Sequence, residues 1–162
     1  MLEKCEIHEL SGVEPNPKIE SVRAGVELCK KNGIDGIVCL GGDGTFRGAT
    51  DLSRAGIPCI GIPATIDNDI GCSQYTIGFD TATSTAMELV DKIRDTTVAH
   101  ERCHVVEVMG RHAGYLALNV GIAVGATAIL VPEVPFTVDD DIIAKIKNTQ
   151  QSGKKHFIVI VA

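Results

Sequence analysis

The chain has 162 residues, 44% of them hydrophobic and 22% charged, and carries a formal net charge of −6. This length predicts one domain that can bury a core without disulfides or metals. The acidic balance argues against nucleic acid or an anionic membrane surface as a main partner, because both require a basic footprint.

Short apolar runs rich in Val and Ile alternate along the chain with segments of helical spacing. In chain order we predict helix 19–31, strand 36–40, helix 45–55, strand 58–62, helix 81–96, strand 104–109, helix 113–124, strand 128–131, helix 139–151 and strand 157–161. This alternation is typical of a Rossmann-like α/β domain with three αβα layers and a mainly parallel sheet. We assign that domain to residues 18–162 and an N-terminal lead-in to residues 1–17.

Residues 113–132 carry no formal charge and have the length of a membrane span. Asn119 lies in the middle of this stretch, and Gly125 stands where a helix would end. A helix followed by a buried strand therefore explains the stretch better than a transmembrane segment does.

The cysteines are irregularly spaced, without a C-x-x-C pair, at Cys5, Cys29, Cys39, Cys59, Cys72 and Cys103. Several lie in apolar runs, where cysteine packs as a small hydrophobe. The first ten residues lack the apolar segment of a signal peptide. These features predict free thiols and a cytoplasmic protein.

The sequence Gly-Gly-Asp-Gly-Thr, Gly41–Thr45, follows the first predicted strand and leads into a helix. Glycine backbones and helix-start amides can approach a phosphate closely. Asp43 would repel that phosphate unless Mg²⁺ lay between them. A tight strand–helix turn with Asp43 or Thr45 as the N-cap explains the loop equally well, and both interpretations stay open at this point.

Two acids, Asp67 and Asp69, follow the second predicted strand and would project to one side if the segment were extended. Facing the Asp43 loop, they would place three carboxylates around one site. Asp67 could then accept a proton from a substrate hydroxyl while Asp69 or Asp43 holds a metal. The alternative is an acidic surface turn.

The segment Met109-Gly110-Arg111-His112 stands at the end of the third predicted strand, next to a predicted helix start, and it contains Arg111. An arginine beside helix amides suits a phosphate or carboxylate on a substrate. Arg102 precedes the same strand, so it lies at the opposite end and would more naturally serve a neighbouring subunit. Either arginine could instead be a solvated surface residue.

Five blocks together resemble the signature blocks of the 6-phosphofructokinase family, in order and in spacing. They are GGDGT at Gly41–Thr45, PATIDND at Pro63–Asp69, YTIGFDTA at Tyr75–Ala82, AHER at Ala99–Arg102 and VMGRHAG at Val108–Gly114. GGDGT also occurs in NAD kinases and lipid kinases, whereas TIDND together with MGR is specific. The rival hypotheses are such a kinase, acting on NAD or a lipid, and a non-catalytic domain that binds a nucleotide or serves assembly.

The resemblance implies phosphoryl transfer from MgATP to the 1-hydroxyl of fructose 6-phosphate, in glycolysis, by a tetramer-like homo-oligomer. It makes Asp67 the general base and adds Thr65 and Arg111 as catalytic residues. It implies nucleotide binding by Gly42, Asp43, Gly44 and Thr45, and Mg²⁺ binding by Asp43 and Asp69. It implies substrate contacts from Thr65, Asp67, Asp69, Met109, Gly110 and Arg111, and from Arg102 toward the substrate of a neighbouring subunit.

The donor and an allosteric site can also be compared with the family. Pyrophosphate-dependent relatives usually have Asp in place of Gly44 and Lys in place of Ala64, so Gly44 favours ATP. Four residues resemble cations of the family's effector site, namely Arg94, Lys154, Lys155 and His156. However, Thr127 stands where bacterial relatives often carry glutamate. The family's N-terminal phosphate loop and C-terminal half are absent, which predicts little or no kinase activity for this chain alone.

Overall fold

The computed structural model describes His8 and residues 19–162. Apart from His8, the predicted lead-in over residues 1–17, including Cys5, lies outside the described residues. The elements in chain order are α1 (Ile19–Lys31), β1 (Ile37–Gly41), α2 (Asp43–Arg54), β2 (Cys59–Pro63), α3 (Phe79–Ala99), β3 (Cys103–Glu107), α4 (Tyr115–Ala123), β4 (Ala128–Leu130), a π-helix (Val138–Ile143), α5 (Ala144–Gln151) and β5 (Phe157–Val161). The predicted order of helices and strands is confirmed.

The structure differs from the sequence prediction at residues 138–143, where a π-helix replaces the first turns of the predicted helix 139–151. Thr137 caps this segment, its side chain accepting a hydrogen bond from the Asp140 N–H. The Ala144 N–H donates to the Asp139 carbonyl five residues back, which is the π-helical spacing. Acidic side chains at the start of the segment interact favourably with the positive end of the helix dipole.

The chain divides into two compact units. One contains the described residues up to Cys39 together with Gly44–Ile62, and the other contains Leu40–Asp43 and Pro63–Ala162. In the first unit the Ile37 N–H donates to the Pro58 carbonyl at 2.8 Å. The Phe46 ring of α2 lies against Gly61, where a Cβ would come within 2.8 Å of the ring. Glycine at 61 therefore lets the helix approach the strand.

The second unit is built on a three-stranded sheet in the order β3-β5-β4. Both pairs are parallel, with Val105 opposite Val159 and Ile129 opposite Ile160. The central strand, β5, is a continuous apolar run that is buried along almost its whole length. Such a run is expected for a parallel strand that is covered on both faces.

Alternate side chains of β5 enter two different hydrophobic clusters. Ile158 and Ile160 pack with residues of α3 and α4, including Val90 and Val120. Val159 belongs to a second cluster, against which Ile142 of the π-helix packs. Because successive strand residues point to opposite faces, this unit has the predicted layers of helix, parallel sheet and helix.

The uncharged stretch 113–132 divides as its glycines predict. It forms α4 and β4, with Gly125 between them in the left-handed conformation at φ 62°. No helix in the described part of the chain combines the length and the apolar character needed to cross a membrane.

The cysteines of the described residues are free, namely Cys29, Cys39, Cys59, Cys72 and Cys103. Desolvation, with the neighbouring Cys39 thiol as a further cause, raises the pKa of Cys59 above its ordinary value. A raised thiol pKa keeps Cys59 protonated at neutral pH, which makes it a poor nucleophile.

Candidate active site

The start of the first sequence block, at Gly41 and Gly42, lies beside the start of the second block, at Ala64 and Thr65. The Ala64 N–H donates to the Gly41 carbonyl at 2.9 Å, which extends the pairing of β1 and β2. A Cβ on Gly42 would come within 3.1 Å of the Thr65 Cβ. Glycine at 42 therefore allows the end of β1 to approach the segment that carries Asp67.

Asp43 is the first residue of α2, and Thr45 lies within the same first turn. Both residues therefore lie at the start of the helix, a position that agrees with the phosphate-loop interpretation and with the N-cap interpretation. The Asp43 side chain is exposed. A carboxylate in the first turn of a helix is favourable for the helix and is accessible to a cation.

Asp67 is half-buried and interacts with Thr65. The Thr65 hydroxyl lies 3.4 Å from Asp67 Oδ2, and the Asp67 N–H donates to Thr65 Oγ1 at 3.3 Å. Thr65 thus contacts both the carboxylate and the backbone of Asp67. A carboxylate held in this way can accept a proton from a ligand hydroxyl without reorienting.

Asp67 and Asp69 do not share one side of an extended segment. Residues 66 and 67 form a bend, and Asn68 is left-handed at φ 54°. Asp69 is exposed and lines a cleft of about 480 Å³ together with His112, Tyr115 and Glu133. The extended conformation required by the sequence argument is absent because the chain turns between the two acids.

Within His8 and residues 19–162, no group of three or more His, Cys, Asp and Glu side chains could hold a metal ion. The expected ring of three carboxylates is therefore not formed there. Mg²⁺ usually binds one or two protein carboxylates plus phosphate oxygens and water. Asp43 and Asp69, both exposed, are compatible with that donor set, and their assignment to Mg²⁺ stays a prediction.

Arg111 lies after the carboxyl end of β3, in a tight turn. The Ala113 N–H donates to the Gly110 carbonyl at 2.7 Å, and Arg111 is left-handed at φ 41°. A Cβ on Gly110 would come within 2.6 Å of the Ala113 carbonyl oxygen. The turn leaves the Arg111 side chain exposed, next to Met109, which is 67% exposed. Both side chains are accessible to a ligand.

Glu133 is a site residue that the sequence did not indicate. Its Oε1 accepts a hydrogen bond from the Gly114 N–H at 2.7 Å, immediately before α4. A Cβ on Gly114 would lie 2.4 Å from the Val131 Cβ. Because the two partners are 19 residues apart, no local sequence pattern links them. Glu133 therefore fixes the end of the turn that carries Arg111.

We expect Glu133→Ala to lower the free energy of unfolding by about 1–2 kcal/mol, because it removes the acceptor at the start of α4. Glu133→Gln keeps an acceptor and loses only the charge, so it should lose less than about 1 kcal/mol. Urea unfolding of the chain measures both values. Glu107, an exposed glutamate on β3, provides matched Ala and Gln controls. Equal losses for Glu133→Ala and Glu107→Ala would contradict the assignment.

Four of the other predicted effector-site or substrate-binding residues lie at the amino ends of the parallel strands. Arg102 precedes β3, and its carbonyl accepts a hydrogen bond from the Phe157 N–H at the start of β5. This places Arg102 at the end of β3 opposite Arg111, as expected. Lys154, Lys155 and His156 directly precede β5, and Lys155 pairs with Glu101 at 2.9 Å.

Arg94 donates a hydrogen bond to the Val124 carbonyl at the end of α4 and lies 3.6 Å from Asp91. A cation at a helix C-terminus interacts favourably with the helix dipole. Arg94 therefore has a structural contact of its own, and its part in an effector site, with the three residues before β5, stays a prediction.

Comparison with known proteins places these loops among related sequences. The family model described as "Phosphofructokinase" matches residues 10–162. The chain is 52% identical over 149 residues to an ATP-dependent 6-phosphofructokinase of Bacillus cytotoxicus, covering 91% of this chain and 46% of that protein. It is 54% identical over 138 residues to the enzyme of that name from Bacillus cereus, covering 85% and 43%. It thus spans about half the length of these curated relatives.

Solved structures show the same fold. Pichia pastoris phosphofructokinase in the T-state matches with a TM-score of 0.77 and 27% identity, over 88% of this chain and 16% of that one. The likeness confirms the predicted Rossmann-like α/β class.

Proposed function

Because the chain belongs to the phosphofructokinase family, we propose that its protein transfers a phosphoryl group from ATP to the 1-hydroxyl of fructose 6-phosphate, giving fructose 1,6-bisphosphate in glycolysis. The observation that carries the proposal is the Asp67 carboxylate, held by Thr65 in a loop beside the end of β1. Phosphoryl transfer depends on positioning and charge stabilisation rather than on a covalent nucleophile.

In the proposed reaction Asp67 accepts the proton of the sugar hydroxyl as its oxygen attacks phosphorus and ADP leaves. Thr65 keeps the Asp67 carboxylate oriented during this step. Asp43 and Asp69 would hold Mg²⁺, which would supply positive charge to the donor phosphates. Backbone groups of Gly42, Gly44 and Thr45 would complete the nucleotide contacts at the start of α2.

The sugar phosphate would bind at the turn after β3. Arg111 would form charge-assisted hydrogen bonds to the phosphate or the transferring group, with Met109 and Gly110 beside it. Arg102, at the opposite end of β3, would reach the substrate of a neighbouring subunit in a tetramer-like homo-oligomer. We further propose that residues 18–162 act as one α/β domain in a cytoplasmic enzyme.

We propose ATP rather than pyrophosphate as the donor, and Gly44 tests this choice. A Cβ on Gly44 meets no atom within 4 Å, so larger side chains fit there. Gly44→Asp places a second carboxylate near the donor phosphates and should raise KM for ATP by about 10–100-fold through repulsion. Gly44→Asn, its neutral isostere, and Gly44→Ala should change KM by less than about 3-fold. Equal effects of Asp and Asn would show that bulk rather than charge matters.

The function itself is tested in two proteins. One is the 162-residue chain, and the other is a chimera in which this chain replaces the matching segment of the Bacillus cereus enzyme. In a coupled assay we expect little or no activity from the chain alone. We expect the chimera to form ADP and fructose 1,6-bisphosphate, with no phosphorylation of NAD or diacylglycerol. A folded chimera that phosphorylates NAD or a lipid instead would identify another GGDGT-type kinase. A folded chimera without any kinase activity would favour a non-catalytic binding or assembly domain.

A further inference from the structure

The loop that carries Asp67 is closed by a buried threonine. Thr76 is 4% exposed, and its hydroxyl donates to the Thr65 carbonyl at 2.6 Å. The Thr76 N–H donates to Asn68 Oδ1 at 3.0 Å. Asn68 Nδ2 in turn donates to the Gln74 carbonyl at 3.2 Å. Thr65 and Asn68, which stand on either side of Asp67 in the sequence, are therefore both hydrogen-bonded to the buried residue Thr76.

Asn68 is also the point where the chain turns. Its φ of 54° lies in the left-handed region, which asparagine tolerates better than most residues other than glycine. Its amide both accepts and donates in this loop. Aspartate at this position could not donate to Gln74, and it would add a third charge between Asp67 and Asp69. Glycine would permit the turn but would supply neither hydrogen bond.

The same network of hydrogen bonds includes the Asp67 carboxylate. Thr76 holds the carbonyl of Thr65, and the hydroxyl of Thr65 contacts Asp67 Oδ2. The Ile77 N–H donates to the Pro63 carbonyl at 2.9 Å, which joins the residue after Thr76 to a residue two positions before Thr65. A displacement of Asn68 or Thr76 would therefore move the residues that orient Asp67.

We propose that Asn68 and Thr76 are positioning residues that hold the Asp67 carboxylate at its catalytic angle. This inference rests on the proposed function, in which Asp67 is the general base. It also gives a role to the Tyr75–Ala82 block, in which no residue was predicted to touch substrate. The two side chains act through the loop and do not themselves contact the reacting groups.

The first test is kinetic and uses the chimera. Asn68→Ala and Thr76→Val should each lower kcat by about 10–100-fold, because small misplacements of a catalytic group have effects of this size. KM for ATP should change by less than about 3-fold, and Thr76→Ser should retain most of the activity because it keeps the hydroxyl. Thr85→Val is the matched control. It removes a threonine hydroxyl that donates to the Thr81 carbonyl on the exposed part of α3, outside the loop, so it should stay near the parent rate.

A double-mutant cycle separates positioning from general loss of structure. In an Asp67→Asn background, adding Asn68→Ala should cost less than about 3-fold in residual kcat, because no base is left to position. A purely structural role would give the same loss in both backgrounds. An equal loss in both, or an Asn68→Ala rate within about 3-fold of the parent, would overturn the proposal while leaving the proposed function intact.

Hydrogen exchange on the 162-residue chain provides a readout that does not need activity. The Thr76 amide should exchange faster in Asn68→Ala than in the parent, and Thr85→Val should leave its exchange rate unchanged. If the chimera is folded but inactive, the proposed function fails, and exchange alone then decides whether the loop is closed in this way. An unchanged Thr76 exchange rate in Asn68→Ala would overturn the inference.

Discussion

Asp67→Asn should lower kcat of the chimera by about 10²–10⁴-fold, the contribution expected from loss of a general base. Asparagine has nearly the same shape and retains an oxygen that can accept from the Thr65 hydroxyl. Its neutral amide cannot accept the proton of the sugar hydroxyl. KM for both substrates should change much less than kcat, because the interaction lost is made in the transition state. Steady-state kinetics in the coupled assay measure both quantities.

The control for this variant is Asp95→Asn, at an exposed aspartate of α3, which should retain full activity. An Asp67→Asn variant that keeps its kcat within about 10-fold of the parent would remove Asp67 from the role of base.

Periodicity was sufficient to predict the order of the elements, because burial on a sheet or helix leaves a local pattern. The run Phe157–Val161 forms the central strand, and its side chains alternate between two clusters. Gly125 ends the segment containing α4 through its left-handed backbone, as its position predicts. Each of these features depends on residues close together in sequence, so the sequence alone contains them.

Contacts between distant residues could not be predicted in this way. In the sequence Asn68 is a polar residue between two acids. In the structure its left-handed backbone conformation prevents Asp67 and Asp69 from sharing one side of an extended chain. Glu133 reads as an exposed loop residue, yet it binds the amide of Gly114. Both outcomes depend on segments brought together by tertiary packing. The candidate site was therefore predictable as a set of loops, whereas the contacts that shape each loop were not.

Arg111→Met should raise KM for fructose 6-phosphate by about 10–100-fold, because it removes charge-assisted hydrogen bonds that each contribute about 1.5–3 kcal/mol. KM for ATP should change by less than about 3-fold if the arginine serves the sugar phosphate rather than the nucleotide. Arg111→Lys should fall between the parent and Met, because lysine keeps the charge and loses the bidentate fork. Initial rates with each substrate varied in turn measure these values in the chimera.

The backbone of Arg111 allows binding to be separated from folding. Its φ of 41° disfavours any residue with a Cβ, by about 1–2 kcal/mol, so Lys and Met carry the same conformational penalty as Arg. Arg111→Gly removes that penalty and should unfold no more easily than the parent, although it loses substrate affinity as Arg111→Met does.

Arg54→Met, at the exposed arginine that ends α2, controls for loss of a surface charge. If Arg111→Gly instead destabilised the chain and left KM unchanged, Arg111 would be a structural residue of the turn. A stable Gly variant with weak sugar-phosphate binding would show that the strained arginine is kept for its ligand.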